Sequence, residues 1–234
     1  MAAASGGNRV RRAAAEEVDG EGSLSRLHRQ ILECRRCEEG GLLDRAAPVL
    51  AAPLLSRIAL VGQAPGRVEE RVGRPFSGRA GHQLFRWLAE AGLGDEEEAR
   101  RRIYLTSITK CFPGPASSGA GDRRPSPAEV ELCRGHLESQ LSLQQPWLIL
   151  AVGQMALERF LGQLQMHLAV GRVFGPAGVD LSPGDAILSS DRPLLLPLPH
   201  PSGASRWLNL PEHRALLTRA LTALRELTQV DSLG

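Results

Sequence analysis

Residues 58–81 read IALVGQAPGRVEERVGRPFSGRAG, an apolar run followed by a loop with five glycines. The apolar run 58–61 ends at a glycine and is typical of a buried strand. The loop is not a dinucleotide-binding or Walker A loop, because Gly62 and Gly66 are four residues apart and no Gly-Lys-Ser/Thr follows. Pro65 stiffens the loop, and Phe76 follows another proline. The pattern indicates either a site for a flat, polar ligand beside Phe76, or an ordinary core phenylalanine among turn-making glycines.

The rest of the chain alternates between strand and helix patterns. We predict further strands at 103–108, 148–152 and 194–198, and helices at 24–32, 80–91, 126–143, 154–164 and 212–228. Residues 165–193 show no periodic pattern and are predicted to be irregular, with a hairpin as one alternative. Strands that alternate with helices favour a parallel sheet covered on both faces, with ligands bound at the carboxyl ends of the strands.

The length allows one good domain or two small ones, and the composition is that of a globular protein. The chain has 234 residues, is 42% hydrophobic and carries a net charge of +2, so no strong overall field indicates a partner. Residues 1–22 are predicted to be a disordered tail and residues 23–234 a single domain. No apolar run reaches the roughly 18 residues of a membrane span, and no signal peptide opens the chain. We therefore expect a soluble, cytoplasmic protein with no membrane partner.

Four short motifs resemble those of a known enzyme group. They are GQAPG at 62–66, GRPFSGRAGHQL at 73–84, YLTSITKC at 104–111 and LPHPS at 198–202. In this order they resemble the uracil-DNA glycosylase superfamily, and most closely its iron–sulfur branch, families 4 and 5. The resemblance implies a three-layer α/β/α sandwich with a central four-stranded parallel sheet. It also implies a monomeric DNA repair enzyme that flips a base out of DNA and cuts its bond to the sugar.

The resemblance assigns roles to individual residues. Phe76 matches the ring on which the flipped base stacks, and the backbone near Gln63 and Ala64 matches the part that meets the pyrimidine edge. His200 matches the histidine that stabilises charge on the departing base. Residues matched to DNA phosphate contacts are Ser202, Gly203 and Arg206.

Three positions differ from the family patterns. Family 4 has an acidic residue where this chain has Gln63, and a neutral amide can orient a water molecule but cannot take its proton. Family 5 has an aspartate where this chain has Arg79. Family 4 has a base-reading asparagine where this chain has Ser107. Glu69 or Glu70 could supply a carboxylate from the same loop, or both are solvated loop charges.

The four cysteines form one close pair and two distant single residues. Cys34 and Cys37 are separated by two residues, and Cys111 and Cys133 by 21. Most zinc ribbons use two close pairs instead. The resemblance implies that these cysteines bind a structural [4Fe–4S] cluster, with zinc or four unligated thiols as the alternatives.

Three functions remain open from the sequence. The first is a monofunctional DNA glycosylase acting on uracil or another deaminated base, such as hypoxanthine or xanthine. The second is a catalytically weak module of the same fold that binds DNA or a flipped base. The third is a nucleotide-handling protein with a zinc site. A basic run, Arg100 to Arg102, is interpreted as a solvated face because acidic residues precede it.

Overall fold

Six strands form one mixed sheet at the centre of the computed structural model, which describes residues 22–118, 121–189, 192–202 and 206–231. The strands are β1 (Ile58–Gly62), β2 (Ile103–Ser107), β3 (Leu148–Val152), β4 (Val173–Phe174), β5 (Asp180–Leu181) and β6 (Leu194–Leu198). Their order is β2-β1-β3-β6-β4-β5. Strands β2, β1, β3 and β6 are mutually parallel, whereas β4 runs antiparallel to both β6 and β5.

The four predicted strands are all present and mutually parallel, but the sheet has six strands and is mixed, so the predicted fold is confirmed only in part. The two additional strands lie in the segment that was predicted to be irregular, and they form the hairpin that was kept as an alternative. Each is two residues long. A strand this short has no alternating pattern to detect in a sequence, so only the pairing of β4 with β6 and of β5 with β4 reveals these strands.

The parallel strands are buried on both faces. Every residue of β1, β2, β3 and β6 is buried. In β1, Ile58 and Leu60 face one hydrophobic core, whereas Ala59 and Val61 face another. This alternation follows from the two-residue period of a strand. Because both faces of these strands are buried, their sequences are continuous apolar runs.

Helices cover both faces of the sheet. They are α1 (22–32), α2 (Arg36–Glu39), α3 (Arg67–Val72), α4 (Arg79–Glu90), α5 (Glu96–Arg102), α6 (Pro127–Gln144), α7 (Gln154–Leu161), α8 (Met166–Ala169), α9 (Pro183–Leu188) and α10 (Pro211–Asp231), with two 3₁₀ turns at Pro176–Gly178 and Arg206–Asn209. Leu88 of α4 and Leu224 of α10 belong to one core. Leu24 of α1, Leu137 of α6 and Leu157 of α7 belong to the other.

Local sequence signals explain where the predicted helices begin. Ser126 accepts a hydrogen bond from the Glu129 backbone N–H, Glu129 bonds back to Ser126, and Pro127 occupies the first helical position of α6. This capping box satisfies two amides that have no partner within the helix. Helix α7 ends at Leu161, three residues before the predicted end, because Gly162 adopts a left-handed backbone conformation there.

The division of the chain into a tail and a single domain stays a prediction. The predicted disordered tail, residues 1–22, lies outside the described residues except for residue 22, which begins α1. Among the helices that the structure describes, none is both long and apolar enough to cross a membrane.

Candidate active site

A cleft of about 670 Å³ opens at the carboxyl ends of the parallel strands. Its floor includes Gly62, Ser107 and Val152, the last residues of β1, β2 and β3, and His200, which lies two residues beyond β6. This is the edge at which open parallel sheets bind ligands. The topology therefore brings together four chain segments that are distant in sequence.

Most of the predicted site residues line this one cleft. They are Gln63, Ala64, Phe76, Ser107, His200 and Ser202. Arg206 is exposed at the start of a 3₁₀ turn and is not part of the lining. Gly203 lies outside the described residues. Arg79 also lines the cleft, at the first turn of α4.

The Phe76 ring lies against the end of β1. A methyl group at Gly62 would stand 2.9 Å from Phe76 Cζ, so only glycine allows the ring to lie this close to the strand. Phe76 itself has a φ of 55°, in the left-handed region. For a residue with a bulky side chain this conformation costs on the order of 1–2 kcal/mol. The first glycine of the loop thus makes room for a half-buried ring on the cleft wall.

Arg100 holds the backbone of the loop that carries Phe76. Its Nη1 donates to Pro75 O and its Nη2 to Phe76 O, both at 3.0 Å. The side chain is only 9% exposed, and its guanidinium carbon lies 4.4 Å from the centre of the Phe85 ring. The interpretation of Arg100 as part of a solvated face was therefore wrong, whereas Arg101 and Arg102 are exposed.

His200 is held in one orientation beside the cleft. Its Nδ1 accepts a hydrogen bond from the Ser202 backbone N–H at 3.3 Å and lies 2.9 Å from Ser202 Oγ. Burial lowers the pKa of His200 below its usual value, which favours the neutral ring at neutral pH. Because a backbone N–H can only donate, Nδ1 is the acceptor and the proton of the neutral ring lies on Nε2.

Gly153 gives His200 its space. A methyl group at Gly153 would stand 3.2 Å from His200 Cδ2, and Gly153 has a φ of 85°. This residue caps α7 directly after β3. The turn between β3 and α7 thus leaves room for the ring of His200, which belongs to a different segment of the chain.

Ser107 has its hydroxyl group bound within its own loop. Its Oγ donates to Thr109 O at 2.7 Å. A hydroxyl has one proton to donate, so the side chain can offer only its lone pairs to a ligand. The residue is buried at the end of β2, where its backbone oxygen accepts a hydrogen bond from Lys110 Nζ.

Two carboxylates line the cleft, and they differ in their hydrogen bonds. Glu69 accepts from the Gly66 N–H at 3.1 Å and from the Gly78 N–H at 2.8 Å, so both of its oxygens tie the glycine loop together. The suggestion that Glu69 supplies a reactive carboxylate therefore conflicts with its structural role. Glu70 lies 3.8 Å from Arg45 and does not line the cleft.

Asp122 is the second carboxylate, and sequence reasoning missed it. Its Oδ2 would stand 2.8 Å from a methyl group at Gly66, so it lies directly over the glycine loop. No side chain or backbone group among the described residues forms a hydrogen bond or ion pair with this carboxylate. One signal was available, because Asp122 is the sole acidic residue between Glu98 and Glu129.

The four cysteines line a second cavity, apart from the cleft. Cys34 follows α1, Cys37 lies in α2, Cys111 follows β2 and Cys133 lies in α6. All four are free thiols. Lys110 lines the same cavity and is fully buried, and burial lowers the pKa of its ammonium group to about 8. Because this lysine also donates to Ser107 O, it connects the cysteine cavity with the cleft floor.

Burial shapes the chemistry of these thiols. It raises the pKa of Cys111 to about 12, with the nearby Cys133 as the second cause, and it also raises the pKa of Cys37 and Cys133. Thiols in such surroundings ionise when a metal binds them.

Within the part of the chain that the structure describes, no group of three or more His, Cys, Asp or Glu residues is placed to hold a metal ion. Four cysteines around an iron–sulfur cluster each bind a different iron, so they stand farther apart than ligands of one ion.

Comparisons with known proteins agree with the geometry. The family model of the Uracil DNA glycosylase superfamily matches residues 50–225. A Type-4 uracil-DNA glycosylase of Archaeoglobus fulgidus is 35% identical over 134 residues, which cover 57% of this chain and 61% of that relative. One of Thermotoga maritima is 36% identical over 105 residues, covering 45% of this chain and 49% of the relative. A Type-5 uracil-DNA glycosylase of Pyrobaculum aerophilum is 31% identical over 158 residues, covering 62% and 66%. The chain thus spans between about half and two-thirds of the length of these relatives.

Proposed function

The chain belongs to the uracil DNA glycosylase superfamily, and we propose that it hydrolyses the N-glycosidic bond of uracil, or of another deaminated base, in DNA. One observation carries this proposal: the cleft is lined by an aromatic ring and by a neutral histidine whose Nε2–H has no hydrogen-bond partner among the described residues. A flipped base needs a flat surface to stack on and a donor at the oxygen that gains charge as the bond breaks. All described lining residues come from one chain, so a monomer can supply them.

Phe76 and the start of the glycine loop bind the base. The base stacks on the Phe76 ring, and the backbone of Gln63 and Ala64 faces its polar edge. Ser107 contributes acceptor lone pairs from the cleft floor. These contacts hold the base without distinguishing strongly between the ground state and the transition state, so they act mainly on affinity.

His200 stabilises the departing base. As the bond to the sugar breaks, negative charge accumulates on the base oxygen, and the Nε2–H of His200 donates a hydrogen bond to that oxygen. The interaction is strongest in the transition state and therefore lowers the barrier. Ser202 keeps the ring oriented through Nδ1. With Gly203 and Arg206, Ser202 also binds the DNA phosphates near the flipped nucleotide.

The water molecule that attacks the sugar needs an acceptor for its proton. Gln63 can orient this water but cannot deprotonate it. Both oxygens of Glu69 accept backbone hydrogen bonds. We assign the acceptor role to Asp122, whose carboxylate lies over Gly66 and faces the cleft.

The four cysteines are proposed to hold a [4Fe–4S] cluster. Their cavity has an apolar wall of Ile31, Ala46 and Leu132 and contains the buried positive charge of Lys110, which suits a negatively charged thiolate cluster. A bound cluster would cross-link the N-terminal segment to the sheet and take no part in bond breaking. Iron and acid-labile sulfide in equal amounts, close to four of each per chain, would support it, whereas zinc without sulfide would contradict it.

Base release from single-lesion oligonucleotides tests the glycosylase. Wild-type protein, His200→Ala and His167→Ala are incubated with duplexes containing one uracil, hypoxanthine or xanthine, and abasic product is measured. His200→Ala should lower the rate by roughly 10²- to 10³-fold and change DNA affinity little. His167 is exposed on α8, and its variant should match the wild type. Equal losses of rate and affinity in His200→Ala would contradict the catalytic role.

A second function, a catalytically weak lesion-binding module, is favoured by one observation. Gln63 and Ser107 stand where family 4 has an acidic residue and an asparagine, and the Ser107 hydroxyl already donates to Thr109 O. Tight lesion binding without product on any of the three duplexes, with the metal content of the protein verified, would support this function over the first.

A further inference from the structure

The Phe76 carbonyl group is fixed from two sides. On one side it approaches the first turn of α4, where a methyl group at Gly81 would stand 1.9 Å from Phe76 O. On the other side it accepts a hydrogen bond from Arg100 of α5. The left-handed backbone of Phe76 is not intrinsically favoured, so these contacts keep the residue in that conformation.

Arg100 uses its planar group to hold three acceptors at once. Besides the carbonyls of Pro75 and Phe76, its Nε donates to Glu96 Oε1 at 3.0 Å. One face of the guanidinium stacks on Phe85. A lysine ammonium is a point charge and cannot reproduce this fork and the stacking together.

We propose that Arg100 is the positioning residue for the base-stacking ring, acting through the carbonyls of Pro75 and Phe76. It lies behind the cleft wall and is not among the lining residues. Its effect on substrate therefore passes entirely through the orientation of Phe76. This inference rests on the proposed function for its consequence in catalysis, but its structural part does not.

The first experiment measures the ring in the free protein. 4-Fluorophenylalanine is placed at position 76, and its ¹⁹F resonance is recorded in otherwise wild-type protein, Arg100→Lys and Arg101→Lys. Arg101 is the matched control, because it follows Arg100 on the same helix and is exposed. Arg100→Lys should shift or broaden the resonance, and Arg101→Lys should leave it unchanged. An unchanged resonance in Arg100→Lys would overturn the proposal.

The second experiment measures base flipping and turnover. 2-Aminopurine next to the target base reports flipping by its fluorescence, and single-turnover base release reports chemistry. Arg100→Lys should reduce the flipping signal and slow release by roughly 10-fold, with little change in Tm. In a Phe76→Ala background the same substitution should cost less than about 2-fold, because the two residues act through one contact chain. If Arg100→Lys slows release by roughly 10-fold in the Phe76→Ala background as well, the proposal is overturned.

A milder variant guards against misfolding of Arg100→Lys. Glu96→Ala leaves the guanidinium in place and removes the oxygen that accepts from its Nε. It should shift the same ¹⁹F resonance in the same direction by a smaller amount, and no shift would count against the proposal. If wild-type protein releases none of the bases, the proposed function fails, whereas the free-protein resonance still decides the role of Arg100.

Discussion

Glu69 and Asp122 show how two carboxylates in one cleft acquire different roles. Glu69 bridges the backbone amides of Gly66 and Gly78, and these two hydrogen bonds fix the position of its carboxylate. Asp122 lies within the same cleft wall without such amides. A carboxylate bound to backbone shapes the loop, whereas one that faces open space can accept a proton from water.

Asp122→Asn is therefore expected to lower kcat by roughly 10²-fold, the usual contribution of a general base. The amide keeps the shape of the side chain but cannot take a proton from the attacking water, so kcat should fall while KM changes little. Glu70→Gln is the control, because Glu70 is a carboxylate of the neighbouring helix α3 that does not line the cleft. Full activity in Asp122→Asn, or an equal loss in Glu70→Gln, would exclude the assigned role.

The sequence motifs identified Phe76 and His200 as site residues. They missed Arg100 and Asp122, whose roles depend on where the folded chain places them. Phe76 and His200 stand in short, specific motifs and line the cleft as expected from them. Arg100 is the first of three consecutive arginines, and nothing in that run distinguishes it from its exposed neighbours. Asp122 reaches the cleft only because the loop before α6 folds back over Gly66.

Among whole elements, each predicted helix carries apolar side chains that face one of the two cores. Helix α4 begins one residue before its predicted start, and β3 and β6 match their predicted bounds. Helices α3 and α5 were missed because they read RVEERV and EEEARRR, which present almost no apolar face. Only Ala99 is buried in α5, so this helix is stabilised by the Asp95 cap and by Arg100 rather than by a hydrophobic stripe.

Helix α1 is joined to the sheet by a buried polar contact. His28 Nε2 lies 2.8 Å from the Tyr104 hydroxyl of β2. Burial, and secondly the nearby Lys110, lower the pKa of His28 from 6.5 to about 4. Below pH 6.5 the unfolded chain therefore binds a proton that the folded chain does not, and this favours unfolding.

We expect His28 to make folding stability fall as the pH decreases from about 6.5 to about 4. The loss at pH 5 should be roughly 1–2 kcal/mol, measured as the difference in urea unfolding free energy between wild type and His28→Gln at pH 7.5 and pH 5. His136 has a similarly lowered pKa and contributes equally to both proteins, so it cancels in this difference. Parallel pH profiles for the two proteins would contradict the role of His28.

At the scale of the whole molecule, the cysteine cavity brings together the N-terminal segment, the end of β2 and helix α6. Cys34 and Cys37 stand near the start of the described chain, whereas Cys111 follows the edge strand β2 and Cys133 belongs to α6. A bound cluster would close a loop of 73 residues between Cys37 and Cys111. Binding that occurs only in the folded state contributes its free energy to folding.

Cys34→Ser is accordingly expected to cost stability rather than chemistry. A loss of at least about 2 kcal/mol lowers Tm by roughly 4–8 °C in a chain of this size. Metal content and visible absorbance should fall with it, while base release per folded molecule stays close to that of the wild type. Glu33→Ser, one residue away and exposed, is the control and should leave Tm, metal content and activity unchanged. Cys34→Ser protein that is colourless but as stable as the wild type would show that the four thiols do not need a metal to hold the N-terminal segment on the sheet.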